Sequence, residues 1–384
     1  MNLPPLSLYI HIPWCLRKCP YCDFNSHAVR GALDEAGYVA ALLADLNIEA
    51  ALAGERELQS IFIGGGTPSL FSPAAIDDLL RGVRERLPWA QDIEITMEAN
   101  PGAVEAAQFA ELRETGVNRL SIGVQSFHAE SLRALGRIHG PEEAVRAVEL
   151  AQAAGFERIN LDLMFGLPQA SEAQALEDVN IAIGLNTEHL SYYQLTLEPN
   201  TLFHHQPPQL PDEETLWSIQ QEGQRLLAQA GYQQYEVSAF ARPGGRCRHN
   251  LNYWRFGDYI GIGAGAHGKL TQGDGNIQRR WKKRHPDDYL CAVAAGNPLQ
   301  GSRQLSPEDR VVEFMMNALR LSEGVESGLF PATTGLDSER LAGMLDEARG
   351  RGLLSKETTR LCATPLGLRF LTNLLEIFEV EKQL

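Results

Sequence analysis

Three cysteines lie close together near the start of the chain, in the sequence Cys15-Leu-Arg-Lys-Cys19-Pro-Tyr-Cys22. Thiolates are the usual ligands of iron–sulfur clusters, and three on one short loop can hold three corners of a cubane. No fourth cysteine lies nearby in the sequence, so the fourth iron would stay open to a small-molecule chelator. The spacing therefore predicts a [4Fe–4S] cluster at Cys15, Cys19 and Cys22.

The alternative for the same thiolates is a zinc ion, with His11 or His27 as the fourth ligand. Closed structural zinc sites usually carry two paired cysteine knuckles, and this sequence shows only one. The other cysteines, Cys247, Cys291 and Cys362, are scattered, unlike those of a small disulfide scaffold.

The elements that must position this loop follow a regular rhythm, because short β-rich runs alternate with helical runs in the first half of the chain. The predicted strands are Leu8–Ile12, Ser60–Gly64, Glu94–Ala99, Arg119–Gln125, Ile159–Gly166 and His189–Thr196. The predicted helices are Glu35–Leu52, Val104–Thr115, Pro141–Ala154 and Glu172–Leu185. This order predicts an α/β fold, a partial (β/α)6 TIM-like barrel with its chemistry at the carboxyl ends of the strands.

The second half of the chain lacks this rhythm. Helices are predicted at Glu213–Ala230 and Pro307–Leu321, and the Gly- and aromatic-rich segment Arg242–Gly268 has no clean period. Further amphipathic helices and a short strand at Leu353–Leu354 predict a smaller C-terminal α+β, winged-helix-like domain. We expect the barrel to occupy residues 1–235, an extension of it residues 236–305, and the C-terminal domain residues 306–384.

Composition limits the partners. The 384 residues carry a formal net charge of −15. An acidic surface repels phosphate backbones, so nucleic acid is not expected as a partner. We find no apolar run of the length that a membrane helix needs and no secretory signal, so we expect a cytoplasmic protein.

The cysteine spacing, placed directly after a first barrel strand, resembles the radical S-adenosylmethionine (SAM) superfamily, in which SAM chelates the open iron. The resemblance implies that Tyr21 lies near the adenine. It also implies that Gly64-Gly65-Gly66-Thr67, after the second strand, contacts the SAM amino group through backbone carbonyls. Glycine suits this role because a side chain would block the approach of the backbone.

Four further polar residues follow the later strands. By the same resemblance, the ribose, amino acid and adenine portions of SAM are bound by Glu98, Gln125, Arg137 and Asp162. A charged side chain on a strand buried on both faces is costly unless it is paired. Asp162, between Leu161 and Leu163, is the clearest case, and a core aspartate paired with an arginine or a backbone N–H is the alternative.

Within the superfamily, the opening His11-Ile-Pro-Trp-Cys15 resembles the oxygen-independent coproporphyrinogen III oxidases and their relatives. Two features depart from the oxidases. They carry a further cysteine where this chain has Phe24, and they have a longer N-terminal extension, whereas fourteen residues precede Cys15 here. Both features match a sister family, the HemW-type haem chaperones.

The run His249-Asn-Leu-Asn-Tyr253-Trp254 resembles the signature of the haem-binding relatives. Imidazole is a common axial ligand of haem iron, which makes His249 the predicted ligand. Tyr253 and Trp254 could border a flat macrocycle. Cys247 is the alternative ligand, as a thiolate.

The run Gly261-Ile-Gly-Ala-Gly-Ala266 satisfies the spacing of a dinucleotide-binding loop, but it follows no clean βαβ unit. We interpret it as a tight glycine loop beside the cluster, and we expect the next residue, His267, to be structural.

Two main functions follow from the resemblance. The leading one is a chaperone that binds haem and hands it to acceptor proteins, with the cluster and SAM in a regulatory or structural role. The alternative is an oxidase that cleaves SAM and oxidatively decarboxylates coproporphyrinogen III to protoporphyrinogen IX, and a radical SAM enzyme with another substrate is a third. No catalytic residue is assigned. Transient contact with membrane haem proteins and homodimerisation both stay open.

Overall fold

The structure, a computed structural model, describes residues 3–379. The outermost ends of the first and third predicted segments, residues 1–2 and 380–384, lie outside the described residues. Twelve strands form one sheet. In chain order they are β1 Leu6–Ile12, β2 Leu58–Gly65, β3 Trp89–Ala99, β4 Arg119–Gln125, β5 Arg158–Phe165, β6 His189–Gln194, β7 Gln233–Gln234, β8 Ala239–Ala241, β9 Asp258–Ile262, β10 His267–Thr271, β11 Ile277–Lys282 and β12 Leu299–Gln304.

The sheet is open, with the spatial order β12-β11-β10-β9-β1-β2-β3-β4-β5-β6-β8-β7. The run from β9 through β1 to β6 is parallel, and every strand outside it pairs in the antiparallel sense. The prediction of six parallel strands is therefore short by one. Strand β9 comes from the segment without a clean period and joins the free edge of β1, with Tyr9 opposite Gly261.

The strands that carry the site begin with apolar residues on both faces and end in polar ones. Leu8, Ile61 and Leu161 are almost fully buried. Parallel strands covered by helices need such apolar faces, which is why these runs appear as strands in the sequence. Because the strands are parallel, their polar ends meet at one edge of the sheet.

The helices that cover the barrel begin at ordinary capping residues. Asp34 caps the first and Ser72 caps the second, which has a proline at its first position. This second helix was not among the predicted ones, and the predicted helix Val104–Thr115 is broken in two. The helices are α1 Glu35–Ala53, α2 Pro73–Arg86, α3 Ala103–Ala107, α4 Phe109–Glu114, α5 Ala129–Ala134, α6 Pro141–Ala153, α7 Glu172–Gly184, α8 Leu202–His205, α9 Glu213–Gln229, α10 Arg248–Trp254, α11 Pro286–Ala294, α12 Pro307–Ala318, α13 Leu329–Thr334, α14 Ala342–Gly350, α15 Pro365–Arg369 and α16 Leu371–Glu376.

Helix α1 corrects one expectation, because its 19 residues are long and apolar enough to cross a membrane by length and composition. The structure packs one face of it against the rest of the fold, where eight of its residues are buried. Its carboxylates Asp45 and Glu49 are buried and form ion pairs with Lys282 of β11, and Arg280 of the same strand contacts Glu49. Buried charges of this kind are tolerable only when they are paired. We therefore assign α1 as a core helix.

The C-terminal helices share a core with the preceding segment. Phe314, Met315 and Phe330 belong to one buried cluster with Tyr235 and Phe256. The predicted strand at Leu353–Leu354 is a single bridge from Leu354 to Ala363, and a two-residue ribbon joins Val325–Glu326 to Arg360–Leu361. The segment boundaries at 235 and 305 stay predictions.

Candidate functional site

The three-cysteine loop begins where β1 ends. Trp14–Cys15 pairs with His27–Ala28 as a two-residue parallel ribbon, which closes the loop at its base. At the tip, the backbone N–H of Cys22 donates to the carbonyl of Cys19 at 3.2 Å. All three thiols are free and partly exposed. The loop therefore holds them at the carboxyl edge of the sheet, where the sequence analysis expected them.

The predicted residues converge on one cavity. A space of about 460 Å³ is lined by the three cysteines and by eight of the ten residues predicted to bind a cofactor. Those eight are Tyr21, Gly65, Gly66, Thr67, Glu98, Gln125, Arg137 and Asp162. Gly64 and His249 are not among the residues that line it. The assignment of these residues to SAM stays a prediction, but the fold does bring them together.

The three thiols suit an iron–sulfur cluster, and of the two histidines proposed for a zinc ion only His27 keeps a ring nitrogen without a partner in the described residues. Around one zinc ion, thiolate sulfurs stand only about 3.8 Å apart, because each Zn–S bond is about 2.3 Å long. Within residues 3–379, no three Cys, His, Asp or Glu side chains come close enough to hold one ion. The ring nitrogens of His11 are both engaged, Nδ1 with the Tyr9 hydroxyl at 2.7 Å and Nε2 with the Asn25 carbonyl at 2.8 Å.

The thiols also respond to their surroundings. Burial raises the pKa of Cys15, and the neighbouring side chains of Thr67 and Ser26 act in the opposite direction. Burial likewise raises the pKa of Cys22. Without a metal, both groups hold their protons at neutral pH, so metal binding here must release protons.

The glycine run, residues 64–66, passes very close to the backbone at the start of the cysteine loop. Gly65 has φ +117°, a value that side-chain-bearing residues rarely adopt, and a Cβ on Gly66 would lie 2.4 Å from the carbonyl oxygen of Trp14. The N–H of Gly65 donates to Glu98 Oε2 at 2.9 Å. The run is therefore pinned between the cysteine loop and the end of β3.

Two carboxylates face the cavity with shifted acidities. Burial, reinforced by the charge of Asp162, raises the pKa of Glu98 to about 7, while the Gly65 N–H opposes this shift. Burial also raises the pKa of Asp162. Asp162 accepts hydrogen bonds from Ser121 at 3.0 Å and from Asn160 at 2.8 Å. The alternative role predicted for Asp162 is that of a core aspartate paired with an arginine or a backbone N–H. These hydrogen bonds come instead from the side chains of a serine and an asparagine.

Gln125 occupies a strained position. It has φ +69° at a break in the register between β4 and β5. Such strain in a residue with a side chain costs about 1 to 3 kcal/mol and persists only when its surroundings enforce it. The Tyr193 hydroxyl donates to Gln125 Oε1 at 2.8 Å and fixes the amide at the cavity wall. The strain supports a functional role for this side chain.

Arg137 connects the thiols with the strand ends. Its Nη2 donates to Asn100 Oδ1 at 2.6 Å and to the Gly123 carbonyl at 2.8 Å, and Nη1 lies 3.9 Å from Cys19 Sγ. Its Nε is buried and has no hydrogen-bond partner in the part of the chain that the structure describes. An unsatisfied buried N–H of this kind points to an anionic ligand.

Sequence reasoning missed Asn100 and Tyr193 as site residues. Asn100 donates to Thr67 Oγ1 at 3.0 Å and accepts from Arg137, so it joins two predicted residues. Tyr193 orients Gln125. Asn100 directly follows β3, and Tyr193 lies near the end of β6. A polar residue at the carboxyl end of a predicted parallel strand was therefore the sequence signal that could have identified both.

A second cavity of about 1120 Å³ adjoins the first, and the two share Phe24, Gly65 and Glu98. Its wall is aromatic and comes from the inner faces of β1, β2, β9 and β11 and from α10. The aromatic residues along it are Tyr9, Phe62, Tyr253, Trp254, Tyr259 and Trp281. His267 also lines it and is exposed, and the expectation that this histidine is a structural residue stays a prediction.

His249 lies apart from both cavities. It is 6% exposed, its Nδ1 is 3.3 Å from Glu94 Oε1, and its ring centroid is 4.3 Å from that of Phe62. Burial acts to raise the pKa of Glu94, but hydrogen bonds from His249 and the charge of Arg119 outweigh it, and the pKa falls to about 2. The ring is thus part of a buried ionic network, and its role as haem ligand stays a prediction.

The alternative ligand, Cys247, is buried beside the same network. Burial raises the pKa of its thiol to about 12. The free thiol keeps its proton at neutral pH, so ligation by Cys247 would have to release that proton, and its role as the alternative ligand stays a prediction.

Comparisons with known proteins agree with this arrangement. Residues 9–182 match the Radical SAM superfamily, and residues 305–370 match the HemN C-terminal domain. A heme chaperone HemW from Escherichia coli (strain K12) is 55% identical over 381 residues, covering 99% of this chain and 100% of that protein. The heme chaperone HemW of Haemophilus influenzae is 48% identical over 385 residues, covering 99% and 100%.

A solved structure gives the same fold. Coproporphyrinogen III oxidase (HemN) from Escherichia coli, described as a radical SAM enzyme, superposes with a TM-score of 0.83 at 25% identity. The match covers 98% of this chain and 91% of that chain. The similarity therefore extends over the barrel, its extension and the C-terminal helices.

Proposed function

The chain belongs to the HemW family of haem chaperones within the radical SAM superfamily, and from this premise we propose that it binds haem and transfers it to acceptor proteins. The observation that carries the proposal is the 55% identity to a heme chaperone over 99% of this chain. The large aromatic cavity beside the cysteine loop supports it, since a flat apolar ligand needs such a wall.

The thiols of Cys15, Cys19 and Cys22 would hold a [4Fe–4S] cluster, and SAM would occupy the cavity beside them. When bound, this pair supplies one-electron chemistry that the protein side chains lack. Arg137 and Glu98, which both line this cavity, would hold the charged amino acid portion of SAM, the guanidinium its carboxylate and the carboxyl group its ammonium. Contacts between charged groups of this kind are stronger where water is excluded.

The oxidase reaction is the competing function, because most residues predicted to bind SAM line one cavity and the fold matches HemN. Phe24 weighs against it. The residue stands where the oxidases have a cysteine, and its side chain is 57% exposed at the junction of the two cavities. We propose that the residue at this position separates the two functions.

We also propose a cytoplasmic location. All six cysteines are free within the described part of the chain, as a reducing compartment would keep them. The acceptor proteins, contact with membrane haem proteins and a homodimer stay predictions.

The test begins with anaerobic reconstitution of the cluster in the full-length protein. Haemin is then titrated, and its transfer to an apo b-type haem protein is followed by difference absorption. In parallel, the protein receives SAM, dithionite and coproporphyrinogen III. We expect stoichiometric haemin binding, transfer, and no decarboxylated porphyrinogen.

Two cysteine variants make the test specific. Cys19→Ser should lose the cluster, whereas Cys291→Ser, an exposed cysteine on α11, should keep it. Substrate-dependent decarboxylation by the wild type would replace the chaperone proposal with the oxidase. Absence of haemin binding to the intact protein would refute the chaperone.

A further inference from the structure

The wall of the second cavity combines aromatic faces with positive charge. Lys269, Arg279 and Arg284 line it together with the aromatic side chains of β9 and β11. Glu98 and Asp288 line it as well, so the wall carries charges of both signs. A ligand that suits this wall is flat, largely apolar and carries carboxylates. Haem is such a ligand, with an apolar macrocycle and two propionates.

Only one of the three cations is available to a ligand. Lys269 is buried and paired with Asp258 at 2.9 Å, and Arg279 is held by Glu313 at 2.6 Å. Arg284 is exposed and forms no ion pair within residues 3–379. Its backbone carbonyl accepts a hydrogen bond from Asn25 at 2.8 Å, which fixes this residue beside the cysteine loop.

The side chains that could reach haem iron can be compared directly. His11 has both nitrogens engaged, and burial raises the pKa of Tyr9 and of Tyr253, so neither phenolate forms at neutral pH. His285 caps α11 through its Nδ1, which accepts from Asp287 N at 3.3 Å and leaves Nε2 facing no partner in the described residues, so His285 is the competing ligand that the test below must separate from His267. His249 lies on the far side of Phe62, which itself lines the cavity.

His267 has none of these constraints. It is exposed, and its ring makes no hydrogen bond in the described part of the chain. It lies opposite Trp281 on the neighbouring strand, with the ring planes 20° apart. Desolvation and the charges of Arg279 and Arg284 lower its pKa, so the imidazole is neutral and has a lone pair for a metal.

From these contacts we infer that haem binds in the second cavity, with His267 as an axial iron ligand and Arg284 as the partner of a propionate. The inference rests on the proposed function and assigns its ligand site. It moves iron ligation away from His249, whose ring then serves to hold α10 against Glu94. Tyr253 and Trp254 of the same helix keep their predicted place along the macrocycle.

The test titrates haemin into the cluster-loaded, full-length protein and records difference absorption and resonance Raman spectra, which report imidazole ligation. His267→Gln is compared with His249→Gln and His285→Gln. We expect wild type and His285→Gln to show the same histidine-ligated spectrum. His267→Gln should lose that spectrum and bind haemin more weakly. Thermal unfolding of each variant checks its fold.

The propionate contact has its own probe, the dimethyl ester of haemin. Esterification should weaken binding to the wild type roughly tenfold, the effect of losing one charge-assisted hydrogen bond. It should leave binding to Arg284→Gln nearly unchanged, because the partner is already missing.

Three results are decisive. If His249→Gln loses the spectrum in a folded protein while His267→Gln keeps it, the ligand assignment is wrong and the chaperone function stands. If the ester weakens wild type and Arg284→Gln equally, the propionate assignment is wrong. If the wild type binds no haemin, the proposed function fails, and this inference fails with it.

Discussion

Arg137 is the residue on which the SAM site depends most at the scale of single side chains. Its planar guanidinium contacts Asn100, Gly123 and Cys19 at the same time and leaves Nε–H for a ligand. A lysine keeps the charge but lacks this fork. We expect Arg137→Lys to assemble the cluster and to bind SAM roughly 10 to 100 times more weakly.

The measurement is the SAM-induced change in the electron paramagnetic resonance of the reduced cluster, followed as SAM is titrated. Arg133→Lys is the matched control, because its side chain is 74% exposed on α5. Equal SAM affinities in the two variants would remove Arg137 from the site.

Glu98 makes a prediction about pH. In the folded protein its pKa is raised to about 7 from 4.5, so between these values the folded state holds a proton that the unfolded chain releases. Stability from this group is therefore complete below pH 4.5 and is lost as pH rises through 7. Between pH 5 and 8, we expect cluster-free wild type to lose roughly 2 to 3 kcal/mol more stability than Glu98→Gln.

Urea unfolding at the two pH values measures this difference, and the glutamine variant cancels the titration of all other groups. Parallel pH profiles for the two proteins would contradict the raised pKa.

The sequence was most informative about residues whose chemistry and spacing are local. The three cysteines and the glycine run are each a short stretch that directly follows a strand of the predicted parallel sheet, so their meeting at one cavity could be predicted. His267 could not be assigned from sequence. Its exposure depends on β10 and β11 pairing it with Trp281, and these strands lie in a region without a clear hydrophobic period. His249 was singled out from the sequence, but its partner Glu94 lies 155 residues away along the chain and could be found only from the fold.

At the scale of elements, the pairing of α1 with β11 joins the barrel to its extension. Lys282 Nζ contacts both Asp45 and Glu49, and all three side chains are at most 2% exposed. Removing the cation leaves two carboxylates buried without their main partner. We expect Lys282→Met to destabilise the protein by about 3 to 5 kcal/mol.

Chemical unfolding with a fluorescence probe measures the loss. Lys283→Met is the matched control, because this neighbouring lysine forms no salt bridge in the described part of the chain. A Lys282→Met protein as stable as the control would show that the carboxylates are neutral in the fold.

The strands that sequence analysis identified best are those whose two faces are both buried. Strands β1 to β6 are buried on both faces and appeared as apolar runs. Strand β9 was missed because Gly261 interrupts it, and this glycine is needed there, since a Cβ on it would lie 2.0 Å from the carbonyl oxygen of His267. Because a neighbouring backbone lies so close, this position must be glycine, and a glycine interrupts the run of apolar residues by which a strand is recognised in a sequence.

For the molecule as a whole, the C-terminal helices and the barrel extension share one buried core, so we expect them to unfold as one unit. Arg320 pairs with Glu236 at 2.9 Å and lies over the Trp254 ring, so a C-terminal residue supports the wall of the second cavity. Arg246 and Glu323 form a further ion pair at 2.6 Å. Composition and local pattern cannot reveal such a shared core, since its members come from distant parts of the chain.

Phe314 tests this cooperativity. Its ring is fully buried and contacts Phe256 of the extension and Phe330 of the C-terminal helices, with ring centroids 5.8 and 5.2 Å apart. Phe314→Ala should cost about 3 to 5 kcal/mol, through lost burial and the cavity left behind. Since the same packing supports α10, we expect a single calorimetric transition at lower temperature and weaker haemin binding. Met316→Ala, two residues along α12 and 51% exposed, should change neither. A separate early transition that leaves haemin binding intact would instead show that the C-terminal helices unfold independently of the cavity.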